Sequence, residues 1–330
     1  MDTGTHIVMG LSLAGLAHID PLVATTPSLA IAVTIGTVLA SQAPDLDSVL
    51  RLKNNAVYIR NHRGISHSIP FLLIWTVLIT AVIALLFRGD VNIPHLALWT
   101  GIAVCVHVFS DLFNTYGTQA FRPFTERWVS WNIIHIFDPF IFGTHIAALL
   151  LWVLGMLDPA PLFITLYCLT IVYYIWRTLV HLFKTAEVAQ LDPLHKEDDI
   201  YYLIPTVLLY QWNVVKLQAD GSYTIGVMNR HHLQWKHQSV TSSQHEAVEH
   251  SKNHPNVQAL LYFTSFAVAD VEEIDKGYIV RWIDVRYLHR TQYPFVAVVV
   301  MDKHFTLISS YIGWLSEDKM NDRLSIDYSS

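Results

Sequence analysis

The chain has 330 residues, 52% of them hydrophobic and 15% charged, with a mean hydropathy of +0.35. Soluble domains carry about 25% charged residues, so composition argues against a wholly soluble protein. A net charge of −6 disfavours nucleic acid as a partner, and two cysteines, Cys105 and Cys168, are too few for a disulfide framework or a Cys-based zinc module. Each cysteine lies within an apolar run and reads as a buried small apolar side chain.

A short apolar run at 7–19 opens the chain, followed by uncharged runs at 22–43, 69–87, 93–109, 140–157 and 161–176. Each of the later five is near the roughly 20 residues that cross about 30 Å of hydrocarbon. In series only helices do this, because lipid offers no partner to unpaired backbone groups. The expectation is five or six membrane helices. The first run is not a cleavable signal, since Asp2 precedes it and no Lys or Arg does. Arg51, Lys53, Arg60 and Arg63 follow the second run, Arg122 and Arg127 the fourth, and Lys184 the sixth. The positive-inside rule then places 45–68, 115–139 and the C-terminal part in the cytoplasm. Six helices put His6 on that side as well.

Composition changes near 184. Residues 184–199 are charged and read as a linker, and 200–330 read as a soluble α+β domain, mostly antiparallel sheet. Strands are expected at 212–218 and 223–228 around Ala219-Asp220-Gly221-Ser222, then a helix at 243–252. Further strands are expected at 259–268, 278–285, 295–301 and 305–308, the last two joined by Asp302-Lys303. The fold class is therefore a multi-pass α-helical membrane domain (1–183) followed by a soluble α+β domain.

In a membrane domain so short of charge, ionisable residues are costly and tend to pair or line a site. His6 opens the first helix, Asp45 and Asp47 end the second, and His62, Arg63 and His67 lead into the third. His107 and Asp111 are four apart on the fourth, so both project from one helix face; His135 and Asp138 close the following loop. By the expected topology all lie at the cytoplasmic membrane boundary. The metal ligands are read as His6, Asp45, Asp47, His67, His107 and Asp111. A His/Asp set without Cys suits Zn²⁺ or Mn²⁺, and the number of ligands allows two ions sharing a carboxylate. His62 or Asp138 would act as general base or as orienter of a ligand histidine, and Arg63 would bind a substrate oxyanion. Ser66 and Ser68 are placed to cap the third helix. Bland readings stand beside each piece: Asp-x-Asp is common in solvated loops, and His-x-x-x-Asp also makes plain ion pairs. The C-terminal histidines, from His231 to His254, form no ligand pattern and read as surface residues.

Together, Thr5-His6, Pro44-Asp45-Leu46-Asp47, His62-Arg63-Gly64-Ile65-Ser66-His67-Ser68 and His107…Asp111…Tyr116-Gly117-Thr118 resemble the LexA-regulated inner-membrane predicted metal-dependent hydrolases. The resemblance covers roughly the first 180 residues, and the added soluble domain looks like that of the Bacillus-type members. It implies a multi-pass membrane protein that hydrolyses a substrate with a bound metal. Three functions follow. One is a hydrolase at the cytoplasmic membrane face, acting on a small-molecule or lipid-like phosphoester. The second is a membrane-anchored regulator or scaffold whose residues 200–330 bind a protein partner, the metal being structural. The third, a transporter, needs ionisable groups at mid-span, whereas these sit at helix ends.

Overall fold

The computed structural model describes residues 1–288, 292–315 and Leu324. The chain divides into two compact units: 1–47, 63–183 and 205–209 form the first, and 48–62, 184–204 and 210–330 the second. The boundary expected at 183/184 is thus one of several points at which the chain passes between units.

The helices, in chain order, are α1 (Thr3–Leu16), α2 (Pro21–Thr25), α3 (Pro27–Ala40), α4 (Asn55–Asn61), α5 (Ile69–Leu86), α6 (Ile93–Asp111), α7 (Pro139–Val153) and α8 (Pro159–Leu191). Proline stands in the first turn of α2, α3, α5, α6 and α7, where its fixed φ suits a helix start and its missing N–H is not needed. Among the described residues α5, α6 and α8 are long and apolar enough to cross a membrane. A fourth crossing exists if α3 and the 3₁₀ segment Ala43–Leu52, bent by 48°, count as one. With 14 and 15 residues, α1 and α7 span only about 21–23 Å at 1.5 Å per residue. The run at 22–43, read as one helix, is broken because Pro27 starts a new one.

Helix α3 packs against α1, α5 and α6. Small residues allow the approach: a Cβ on Gly10 would lie 2.5 Å from Ser41 Oγ, and one on Gly36 would lie 2.7 Å from Thr100 Oγ1. Leu13, Leu29, Val33, Ile83 and Leu96 fill the interior. Cys105 and Cys168 are exposed on α6 and α8, not buried as expected, because the apolar runs carrying them have outward as well as inward faces.

In the second unit, β1 (Ile200–Pro205), β2 (Gln211–Leu217), β3 (Tyr223–Asn229) and β4 (His232–Val240) form one sheet in that order. After α9 (Glu246–Ser251) and α10 (Pro255–Phe263), β5 (Ala267–Ile274), β6 (Gly277–Asp284), β7 (Phe295–Asp302) and β8 (Leu307–Trp314) form an antiparallel second sheet. The strand expected at 259–268 is mostly α10. Pro255 in its first turn and the His254 cap start a helix, which buries Val257, Leu260 and Phe263. The expected linker is mostly helix, since α8 runs to Leu191. Its remainder is tied down by Lys216, whose Nζ lies 2.7 Å from Asp192 Oδ2, 2.8 Å from Asp199 Oδ2 and 2.9 Å from Leu194 O.

Candidate metal centre

Four side chains from separate elements of the first unit converge. Asp45 comes from the 3₁₀ segment after α3, His67 from the turn before α5, and His107 and Asp111 from the last turns of α6. His107 Nε2 is 3.3 Å from His67 Nε2. Asp45 Oδ1 lies 3.5 Å from His67 Nε2 and 3.8 Å from His107 Nε2. Asp111 Oδ2 lies 3.4 and 3.5 Å from the same two nitrogens. Donors about 2.0–2.2 Å from one ion, arranged tetrahedrally, would stand about 3.3–3.6 Å apart. The observed separations are close to those edges.

The proton inventory matters more than the distances. His107 Nδ1 sits 2.7 Å from Ser41 O, and a carbonyl can only accept, so Nδ1 carries the hydrogen and Nε2 presents a lone pair. Ser66 Oγ donates to Asp47 Oδ2 at 2.7 Å and therefore accepts from His67 Nδ1 at 3.0 Å. The Nε2 of His67 is thus a lone pair too. The facing carboxylate atoms, Asp45 Oδ1 and Asp111 Oδ2, are buried and have no hydrogen-bond partner. Two imidazole nitrogens and two carboxylate oxygens, all buried, thus face one another, and drawing such acceptors together is expensive. A divalent cation resolves the arrangement, so the donor set fits a metal ion.

The surroundings fix these side chains. Asp111 Oδ1, turned away from the cluster, receives Asn114 Nδ2 at 3.1 Å and Arg63 Nη2 at 3.1 Å, and also contacts the Met1 amine. Asn114 Oδ1 in turn accepts from Arg63 Nη1 at 3.0 Å and from the backbone of Tyr116 and Gly117. Gly117 has φ +66°, and a Cβ there would fall 2.2 Å from Val129 O, so the turn that carries Asn114 needs glycine. Arg63 is left-handed, with φ +58°, held by Asp47 Oδ2 on its N–H and Gln119 N on its carbonyl. Such a φ is strained for a non-glycine residue and persists because both ends are tied.

The other expected residues are not among these four. Asp47 stands behind His67, joined to it through Ser66. His6 stacks on His107 with ring centroids 3.7 Å apart, and its Nε2 is 3.4 Å from Asp111 Oδ1, the oxygen facing away from the cluster. Asp138, expected as base or orienter, caps α7 by accepting from Phe140 N and Ile141 N, and takes a 2.8 Å hydrogen bond from Tyr173 Oη. Its acceptors are committed to helix start and packing. His62 ends α4 in the second unit, its ring 4.7 Å from that of Tyr58. Ser66 and Ser68 make no side-chain cap on α5: Ser66 bridges Asp47 to His67, and Ser68 Oγ donates to Ile65 O. Asn114 escapes a search for titratable ligands because it is neutral, although its position three residues after Asp111 marks it as a neighbour on the same turn.

A helical membrane domain with a buried His/Asp centre, followed by a two-sheet domain, is the class of protein so defined. Residues 1–183 match the family model described as YdjM inner membrane protein, and 246–324 match the YfhP C-terminal alpha/beta plait domain. The chain belongs to the YdjM inner membrane protein family and carries that plait domain at its C-terminal end. It is 42% identical over 328 residues to "Uncharacterized protein YfhP" of Bacillus subtilis (strain 168), covering 99% of each chain. No solved structure matches it. Membership and the apolar helices make it a protein of the inner membrane.

Proposed function

We propose that this chain is a metal-dependent hydrolase working at the cytoplasmic membrane face, with Asp45, His67, His107 and Asp111 holding one divalent ion. The observation that carries the reading is the meeting of two imidazole nitrogens and two carboxylate oxygens at 3.3–3.8 Å. A bound divalent ion would supply Lewis acidity, activating water and offsetting negative charge on the reacting group. One ion is favoured over two because the outer oxygen of Asp111 is already occupied by Arg63 and Asn114. Four protein donors close a tetrahedral zinc shell, whereas a six-coordinate ion such as Mn²⁺ keeps two positions for water and substrate. Catalysis therefore favours Mn²⁺.

The chain's own groups have distinct tasks. Ser41 O and the Asp47–Ser66 pair hold the two imidazoles in the tautomer that ligates. Arg63 neutralises Asp111 and adds positive potential for an anionic substrate such as a phosphoester. Asp45, with 20% of its side chain exposed where the other three are at 0%, marks the side of approach.

Elemental analysis of detergent-purified protein should find about one ion per chain, lost in the Asp45→Ala/Asp111→Ala double variant. Generic phosphomonoester, phosphodiester and carboxylic ester substrates then test turnover, which should vanish on chelation and return with Mn²⁺. Equal metal content in both proteins would refute the reading. The second reading, a membrane-anchored regulator with a structural ion, is favoured by the completeness of the four-donor shell. It predicts zinc retained through chelation, no turnover, and partner binding by residues 200–330 unaffected by the double variant.

A further inference from the structure

The segment Ala43–Leu52 is a 3₁₀ helix, with three residues per turn, so side chains three apart eclipse into rows. One row is Leu46, Val49 and Leu52, exposed by 53, 58 and 88%. The next is Asp45, Ser48 and Arg51, and Lys53 follows the last turn. The segment is therefore amphipathic in the period of its own helix type. A 48° bend separates its direction from that of α3, as suits an element that turns away from a crossing path. Helix α3 itself presents Ile31, Ile35 and Leu39 outward. In an inner-membrane protein the outward apolar face of α3 meets lipid. Arg51 is steadied by Tyr58, with Nη2 2.8 Å from the hydroxyl and the guanidinium 4.1 Å from the ring centroid.

We propose that Ala43–Leu52 lies along the surface of an anionic leaflet, with Leu46, Val49 and Leu52 among the acyl chains and Arg51 and Lys53 at the headgroups. The apolar row favours lipid over water; Asp45 and Asp47 balance Arg51 and Lys53 in number, but the two cations stand together at the far end of the segment, where they favour anionic over zwitterionic lipid. Asp45 stands on the adjacent polar row and is thereby seated at headgroup depth. Resting on the metal-centre reading above, this makes the substrate a leaflet amphiphile whose headgroup, and not its acyl part, reaches the ion.

The test uses the full chain with Cys105→Ala and Cys168→Ala. Single cysteines replace Leu46, Val49, Leu52 or Ser48 and carry an environment-sensitive fluorophore. The proteins are reconstituted into vesicles of phosphatidylcholine with phosphatidylglycerol. Labels at 46, 49 and 52 should be quenched by lipids carrying a shallow spin label and shielded from aqueous iodide, with the reverse at 48. Removing phosphatidylglycerol, or introducing Arg51→Gln with Lys53→Gln, should weaken the lipid quenching by about twofold or more at low salt. Iodide quenching equal at all four positions would overturn the proposal. So would shielding without lipid quenching, which would assign the row to a protein partner or a second copy. None of these readings depends on metal, so a chain that shows lipid quenching but binds no ion refutes only the catalytic reading.

Discussion

Two buried acidic clusters, one in each unit, solve the same electrostatic problem differently. In the second unit Asp192 and Asp199 close on Lys216, and Asp192 also receives Tyr201 Oη at 2.7 Å and Trp235 Nε1 at 3.2 Å. One oxygen of Asp199 has no hydrogen-bond partner, but the carboxylate is neutralised by the ammonium group 2.8 Å from its other oxygen. In the first unit Asp45 and Asp111 turn one oxygen each toward two imidazole lone pairs, and no side-chain cation stands among those four atoms. A lysine contacts both carboxylates of the first arrangement; in the other, Arg63 and the Met1 amine reach the outer oxygen of Asp111, while the inner oxygens of Asp45 and Asp111 face the two imidazoles. Acid pairs alone do not mark a metal site, and the difference lies in which oxygens the chain's own cations reach.

The largest expected effect breaks the self-contained cluster. Lys216→Met leaves two buried carboxylates without their ammonium and should destabilise the second unit by about 3–5 kcal/mol, read as the shift in thermal unfolding of the full chain in detergent. The same cluster fixes a pH response. Burial pushes the Asp192 carboxyl up, but hydrogen bonds from Lys216 and Tyr201 outweigh it and hold its pKa below the usual value. Its contribution is thus fully present above the ordinary aspartate pKa of about 4 and is lost as pH falls below it, so acid titration should loosen the second unit.

The metal cluster should answer to ions instead. Ion at about 100 times its Kd should stabilise the chain by about 2.7 kcal/mol, and chelation should remove that gain. Removing what orients the ligands should weaken affinity without abolishing it: Ser66→Ala or Asn114→Ala should each cost about 10- to 100-fold in Kd by metal titration. The smallest effect is the sharpest in sign. Asp45→Asn keeps the shape of the side chain but removes a donor charge, so it should lower the unfolding temperature of metal-loaded protein by more than that of chelated protein. An equal loss in both states would contradict the account of a bound ion.

The four converging side chains were readable from chemistry and position. His107 and Asp111 share a helix face by spacing, and Asp45 and His67 stand where apolar runs begin or end. Asp138, read as base or orienter, is a helix cap; an acid before Pro139 looks the same in either role, and the Asp-Pro pair was itself the signal of a helix start. Ser66 and Asn114 carry no charge, and their work is visible only through their partners. The antiparallel sheet content of the second unit was legible at β2, β3, β6 and β7, whose apolar content is high. Strand β4 went unseen because it alternates with Gln234, Lys236 and Gln238 on an open face, and β5 because Asp270, Glu272 and Glu273 dilute its apolar pattern. The break between α2 and α3 depends on a proline in an otherwise continuous run, where length alone reads as a single span.

X-ray absorption at the edge of the bound metal tests the central claim most directly. The account predicts a shell of nitrogen and oxygen donors at about 2.0–2.2 Å with the scattering of two imidazoles, falling to one imidazole in His67→Ala. A shell without imidazole, or one unchanged by His67→Ala, would contradict it.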